Sequence, residues 1–319
     1  MLNEGERWQL EEGDQVAVLG GGLMGHALAA IFLSRGYLVT GVESDDTSRA
    51  ALASRVDKVV AQLPRSATTG ALHVVAAPSE LGPDTRLVIE AVPEVLELKR
   101  DLMSHVAAAC PLAVLATNTS VFRVGDVAER VADRSRVVGT HWWNPPHLIP
   151  LVEVVEGAET SAAVVEGMMR LLTSLGKSPV HVRRDTPGFI GNRLQHALWR
   201  EAMSLVQEGV CDAHDVDVVV RTSIGLKLSA VGPLENADYV GLDLTRAIHE
   251  YVFPALSTAQ QPLDILEEAV ARGHLGAKTR RGLLTWPEGA REATSRRLDE
   301  RVRLLTSLLE SDSLTTPTL

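Results

Sequence analysis

Cysteine is nearly missing from this chain. Cys110 and Cys211 are the only two among 319 residues, so no disulfide framework is expected, and a reducing cytoplasm is the expected compartment. No apolar run approaches the length that spans a bilayer. The first residues, MLNEGERWQLEEGDQ, are acidic and polar, which does not fit a secretory signal. Basic residues are outnumbered 31 to 41, for a net charge of −10, which argues against nucleic acid or an anionic membrane as partner. No H-E-x-x-H and no paired cysteine motif occurs, so no metal site is expected. A G-x-S-x-G nucleophile elbow is missing too, as are internal repeats and low-complexity segments.

What remains is an ordinary soluble composition, 45% apolar and 23% charged, over a length that suggests two domains. Short β-branched runs at 15–19, 38–42, 73–76, 86–90, 113–116, 137–140, 151–155 and 179–182 read as strands, with helical patterns such as 24–35, 97–109 and 162–175 between them. Strands alternating with helices predict a mostly parallel, doubly wound α/β sheet. The texture turns helical after Thr186-Pro187-Gly188. Ile190, Leu194, Leu198, Ala202 and Leu205 recur at near-helical spacing up to Gly209, and Asp212 reads as the cap of a helix ending near Gly225. Further helices are expected at 233–253, 262–272 and 291–309. The expected domains are 1–186 and 187–319.

The run VAVLG passes straight into Gly20-Gly21-Gly22-Leu23-Met24-Gly25 and then into an Ala-rich helix. This is G-x-G-x-x-G in the context that gives it meaning. Gly20 permits the tight turn, Gly22 admits a pyrophosphate to the backbone, and Gly25 packs the helix close to the strand. The helix N-terminus, with Leu23 and Met24 leading into it, offers N–H groups to phosphate. Glu43 closes the next strand, where a carboxylate accepts from adenosine ribose hydroxyls. Asp45 and Asp46 add negative charge that repels a 2′-phosphate. NAD is therefore the expected cofactor, and Arg49 is the nearby residue that could favour NADP.

The segments ATNTS (116–120), GTHWWNPPHLIPLVEVV (139–155), LGKSPV (175–180), DTPGFIGNRL (185–194) and ADYVGLD (237–243) resemble the L-3-hydroxyacyl-CoA dehydrogenase family. The resemblance runs from about residue 15 to about residue 286. It implies a Rossmann-type NAD-binding domain followed by an all-helical domain that forms a homodimer, with substrate in the cleft between them. It implies His141 as general base, Glu153 as its partner, Ser120 and Asn192 at the substrate oxygen or orienting His141, and Asn144 as an active-site asparagine. Glu94 and Lys99 match residues that hold the nicotinamide side of the cofactor, and Lys278 matches a lysine that reaches it from the helical part. Arg280 stands where that family's K-T-G-x-G has glycine.

The residues support this chemistry on their own terms. Oxidising a secondary alcohol requires a base that titrates near neutrality, and histidine suits it. His141 follows a buried-type strand, and Glu153 lies in the next strand-like run beyond a proline-bounded loop, so neighbouring strands could bring them together. A carboxylate on one ring N–H fixes the tautomer and stabilises the imidazolium. His26, His73, His105, His196 and His249 have no such constellation in the sequence. His147 could touch substrate or face solvent. Trp142 and Trp143 could be packing, or either could wall the substrate pocket.

The segment between Glu43 and Leu87 looks short for the helical extension that holds CoA in the acyl-CoA enzymes. The family's CoA-side serine and lysine fall near Val59 and Ser66, with Lys58 and Arg65 adjacent. HWWNPPHLIPLVEVV and NRLQHALWREA look closer to members acting on free hydroxy acids, gulonate and carnitine dehydrogenases among them. The expected substrate is a 3-hydroxy or 3-keto carboxylic acid or its thioester. The alternatives are a fatty-acid type L-3-hydroxyacyl-CoA dehydrogenase and, from another class, a crystallin-like structural or NADH-binding protein.

Overall fold

A computed structural model describes residues 8–64 and 70–313. The polar start of the chain up to Arg7, and Arg65 with Ser66, lie outside the described residues. Two compact units make up the chain, Met1–Arg193 and Leu194–Leu319.

In the first unit the β-branched runs become β1 (Gln15–Leu19), β2 (Leu38–Val42), β3 (Ala71–Val75), β4 (Thr85–Glu90), β5 (Val114–Thr117), β6 (Val137–Trp142), β7 (Leu151–Val155) and β8 (Ser178–Val182). They form one sheet in the order β3-β2-β1-β4-β5-β6-β7-β8. Neighbours are parallel except β6 and β7. The central strands are apolar on both faces because helices cover both. Helices α1 (Gly25–Leu33), α2 (Asp46–Val60) and α5 (Ala162–Ser174) bury Leu28, Leu52 and Leu172 against one face. Helices α3 (Leu96–Ala109) and α4 (Val124–Val127) bury Met103, Val106 and Val127 against the other. Strand order reverses between β1 and β4, and in such sheets that switch point opens a crevice at the carboxyl ends of the strands.

Two expectations need correction. Strand β6 does not stop at Thr140: it runs through His141 and Trp142, because both find partners on β7, Glu153 and Val152. The helix expected over 233–253 is two helices, broken at Gly241, whose φ of +106° no helix interior accommodates.

The second unit is helical, as the apolar periodicity requires. It comprises most of α6 (Gly191–Gln207), then α7 (Ala213–Thr222), α8 (Ile224–Leu228), α9 (Pro233–Val240), α10 (Leu242–Val252), α11 (Asp264–Ala271) and α12 (Ala290–Ser313). Helix α6 organises it: Glu201 accepts from the Ser257 N–H at 2.8 Å and Gln207 from the Ile265 N–H at 3.0 Å. Asp212 stands at the cap position of α7 but makes no side-chain capping bond there. Among residues 194–309, Ser204 alone is buried.

Candidate active site

The glycine loop lies at the switch point. Gly20 has φ of +90°, and a Cβ there would come within 2.9 Å of the Ala91 carbonyl oxygen. At Gly25 a Cβ would fall 1.7 Å from the Gly20 carbonyl oxygen, so helix and turn can meet only without a side chain. Around Gly22, by contrast, nothing lies within 4 Å of such an atom. No side chain caps α1, and its first turn holds no acid, which leaves its N–H groups and positive dipole end to an anion. Gly20, Gly22, Leu23, Met24, Glu43 and Ser44 line a groove of about 600 Å³, closed opposite by Ala91, Val92, Pro93 and Leu98. An open backbone, an uncapped helix start and a carboxylate in one groove fit a dinucleotide.

Glu43 is fixed by backbone donors, Gly21 N–H at 2.8 Å on Oε2 and Asp45 N–H at 3.0 Å on Oε1. Its acidic neighbours turn out to be occupied elsewhere. Asp45 caps α2 by accepting from Ser48 N–H at 2.7 Å, and this bond holds its carboxyl below the usual range. Asp46 pairs with Arg49. Arg49 also donates to the Glu43 and Ser44 carbonyls at 3.1 and 3.2 Å, so the one residue that could favour NADP is committed to its own loop. Sequence reasoning missed Arg55, which donates to the carbonyls of Gly21 at 2.8 Å and Gly22 at 3.0 Å. His26, which has no catalytic constellation in the sequence, lies beside it, its Nδ1 2.7 Å from the Gly22 carbonyl and 3.0 Å from Arg55.

Beyond the groove, the expected cofactor pair Glu94 and Lys99 belongs to a larger polar cluster. Lys99 is 1% exposed. Its ammonium sits 2.7 Å from Glu90, 3.1 Å from Glu94 and 3.3 Å from the Val92 carbonyl. Its charge thus shapes the 90–94 segment from beneath. Glu90, at the end of β4, is 0% exposed and also accepts from Thr117 at 2.7 Å. Glu94 accepts from the Thr119 hydroxyl and from Ser120 N–H at 2.9 Å. Burial pushes the Glu94 carboxyl up, but Thr119, the Lys99 charge and the Ser120 N–H outweigh it, leaving its pKa low. Glu90, Thr117 and Thr119 escaped the sequence reading; an acid at the carboxyl end of a central parallel strand was the available signal.

His141 and Glu153 come together as the strand spacing allowed. Nδ1 of His141 lies 2.7 Å from Oε2 of Glu153, with the residues 5% and 1% exposed. Oε1 accepts from the N–H groups of Ile190 at 2.8 Å and Gly191 at 3.0 Å, at the start of α6. Burial pushes the Glu153 carboxyl up, and the bond to His141 with those two N–H groups brings it below the ordinary range. An ionised carboxylate only accepts, so in the bond to Glu153 it is Nδ1–H of His141 that donates. Asn192 donates to the Ser120 carbonyl at 2.8 Å, which ties the start of α6 to the loop after β5. Asn118 accepts from the Trp142 N–H at 3.0 Å.

The loop from β6 to β7 resolves the two tryptophans. Trp142 is core, 3% exposed; Trp143 lies beside His141, ring centroids 5.3 Å apart. Phe189 packs on the imidazole at 5.6 Å. Asn144 is exposed at the start of the loop, with no bond to the dyad among the described residues, and His147 is half-buried further along. Lys177 donates to the carbonyls of Pro146 and Ile149, the latter at 3.0 Å, and holds the loop from below. Lys278 belongs to the second unit, exposed in a tight turn at Ala277–Thr279. Arg280 after it adopts φ of +61°, the left-handed region that explains why glycine is favoured there.

Known proteins agree with this architecture. Residues 15–186 match the 3-hydroxyacyl-CoA dehydrogenase NAD binding domain and residues 188–286 the 3-hydroxyacyl-CoA dehydrogenase C-terminal domain. The chain is 39% identical to the L-carnitine dehydrogenase of Streptomyces coelicolor over 69% of this chain and 71% of that one. It is 30% identical to the 5-formyl-3-hydroxy-2-methylpyridine 4-carboxylate 5-dehydrogenase of Mesorhizobium japonicum over 92% of this chain and 96% of that one. A crystal structure of a dehydrogenase of the latter name, described as an NAD⁺-dependent dismutase, superposes with a TM-score of 0.88 at 26% identity, covering 93% of this chain and 99% of the other. The chain belongs to the 3-hydroxyacyl-CoA dehydrogenase family, as an NAD-dependent dehydrogenase.

Proposed function

We propose that the enzyme interconverts a 3-hydroxy and a 3-keto carboxylic acid, free or as a small thioester, with His141 as general base and acid. The observation that carries this is the buried His141–Glu153 pair, 2.7 Å apart, bonded through Nδ1. NAD, when bound, supplies the acceptor for the substrate hydride. The hydroxyl proton passes to Nε2 of His141, and Glu153 stabilises the imidazolium that results. In the reverse direction the same Nε2–H returns the proton to the carbonyl oxygen. Ser120 and Asn192 touch the substrate oxygen or orient His141, and Asn144 is the active-site asparagine that the family resemblance implies. Gly20, Gly22, Leu23, Met24, Gly25 and Glu43 hold the cofactor, Glu94 and Ser120 belong to its nicotinamide side with Lys99 supporting Glu94 from beneath, and Lys278 is the cofactor-binding residue of the helical part. The functional division is 1–186 for cofactor and 187–319 for the helical part.

The free-acid side of the substrate class is favoured by the region after β2. Among the described residues it holds one α-helix, the 15-residue α2. Val59 is 6% exposed and faces the core, so it cannot take the role of a CoA-side serine. The carnitine and pyridine-carboxylate enzymes similar to this chain are named for free acids. The deciding measurement is NADH formation with L-carnitine and 3-hydroxybutyrate against 3-hydroxybutyryl-CoA. A kcat/KM for the thioester equal to or above that for the best free acid overturns the preference.

The functional unit is a homodimer through the helical part. Support comes from the scarcity of burial in residues 194–309 and from Leu194, Leu234, Tyr239, Leu242 and Tyr251, all at least 60% exposed. Helical faces of that kind require a cover. Sedimentation showing only a 34.3 kDa species at micromolar concentration would remove this reading. Among the described residues no helix is long and apolar enough to cross a membrane, and the two free cysteines support a cytoplasmic location.

A further inference from the structure

Residue 191 has no side chain, and the structure leaves room for none. A Cβ there would lie 2.4 Å from Cζ2 of Trp143 and 3.2 Å from its Cε2. Backbone freedom is not the reason, because Gly191 does not sit at positive φ and opens helix α6. The space is taken by an indole edge. The same indole lies 5.3 Å from the His141 ring, tilted by 53°. The same Gly191 donates its N–H to Glu153 Oε1 at 3.0 Å. Trp143 is therefore wedged between the backbone that holds Glu153 and the imidazole that Glu153 holds.

We infer that Trp143 and Gly191 are a size-matched pair that positions the His141–Glu153 dyad. The inference rests on the reading of that dyad as the proton-transfer group. The indole sets the spacing between the end of β6 and the start of α6, and the bare Gly191 lets the helix come close enough to place its N–H on Glu153. A methyl group at residue 191 has two ways out. It can push the indole onto His141, or it can carry the N–H away from Glu153. Either change loosens the 2.7 Å bond between the two side chains. Trimming residue 143 removes the collision. Both residues act through the dyad, so they are positioning residues.

The test is a double-mutant cycle of Trp143→Phe and Gly191→Ala, with His141→Asn as reference. Two readouts are used. One is kcat, KM and NADH Kd for reduction of acetoacetate and of acetoacetyl-CoA. The other needs no substrate: the low-field proton resonance of the His141 Nδ1–H on Glu153, assigned by its loss in His141→Asn. Gly191→Ala is expected to lower kcat about 10- to 100-fold, the scale of a sub-ångström to ångström misplacement. It should displace or erase the low-field resonance and leave NADH Kd unchanged. In the Trp143→Phe background the same Gly191→Ala step is expected to cost little and to retain the resonance. Should Gly191→Ala alone fail to fold, a folded double variant that keeps the resonance supports the pairing. The inference is overturned if Gly191→Ala leaves kcat and the resonance as in the wild type. It is also overturned if that step is as damaging in the Trp143→Phe background as in the presence of Trp143. Normal turnover by His141→Asn would sink the general-base reading instead, and the resonance would still decide the pair.

Discussion

His141 and Glu153 are Cα partners across the antiparallel β6–β7 pair, and their side chains meet at 2.7 Å. Direct opposition in an antiparallel ladder puts two side chains on the same face within reach of each other. Glu153 has its other oxygen anchored to the start of α6, so the imidazole is oriented by two elements at once. His141→Ala is expected to lower kcat by about 10²–10⁴ with NADH Kd unchanged. Glu153→Gln, which keeps shape and removes charge, should also lower kcat strongly. The double variant should lose less than the product of the two, because both residues serve one proton transfer. Steady-state kinetics of the three variants check this, and full additivity contradicts it.

The carboxyls of Glu153 and Glu94 are both held below their ordinary range despite burial. A depressed folded-state pKa contributes stability that is present above the unfolded value and lost as pH falls through the folded one. Urea midpoints should therefore drop as the pH is taken below about 4.5. Glu153→Gln should show a shallower drop. An identical acid limb in that variant would mean the carboxylate is not stabilised in the fold.

Lys177 gives the opposite limb. Burial, with the Arg35 charge second, lowers its pKa from 10.5 to about 8, and its acceptors are carbonyls of the 146–149 loop. Below about pH 8 both folded and unfolded chains carry the proton. Between about 8 and 10.5 the unfolded chain binds more, so this group makes stability rise with pH. Comparing wild type with Lys177→Met at pH 7.5 and pH 10 isolates it. The difference in urea midpoint should move in favour of the wild type at the higher pH, and a constant difference refutes the assignment.

Lys99 and Glu90 form an ion pair at 2.7 Å with side chains 1% and 0% exposed. Removing one partner leaves a buried charge uncompensated, which costs about 3–5 kcal/mol. Lys99→Met should destabilise the fold by that order in urea denaturation. Adding Glu90→Leu should return much of the loss, because an apolar pair of similar volume needs no counter-charge. A Lys99→Met variant of unchanged stability would show that the cluster is solvated.

Glu43 is the carboxylate that lines the dinucleotide groove, Asp45 and Asp46 being engaged in the α2 cap and with Arg49. Glu43→Ser should narrow the ratio of NADPH to NADH Kd, since on the proposed reading it removes the charge that repels a 2′-phosphate. It frees no basic residue, so NADPH should not become the preferred cofactor. Fluorescence titration with both cofactors measures the ratio, and an unchanged ratio places the discrimination elsewhere.

The sequence by itself determined the sheet and its glycine loop. β-branched runs of strand length between helical patterns admit few arrangements, and the roles of Gly20 and Gly25 follow from local sterics that any reader of the chain can reconstruct. The dyad was nearly legible for the same reason: two strand-like runs joined by a short proline-bounded loop have one simple way to pair. What only the tertiary structure decided depends on atoms brought from distant parts of the chain. Lys99 could be read as a cofactor residue, and its burial against Glu90 appears only when α3 packs under β4. Asp45 and Asp46 look equal to Glu43 in a string of letters, yet of the three Glu43 lines the groove while the other two are bonded within the α2 start. Gly241 inside an apolar helical period gave no sign that it would sit at φ of +106° and end one helix before another begins. Gly191 reads as an ordinary residue in D-T-P-G-F-I-G-N-R. Its lack of a side chain acquires meaning only when the fold presses the Trp143 indole against it, because excluded volume between residues far apart in sequence is a property of packing and has no local signature.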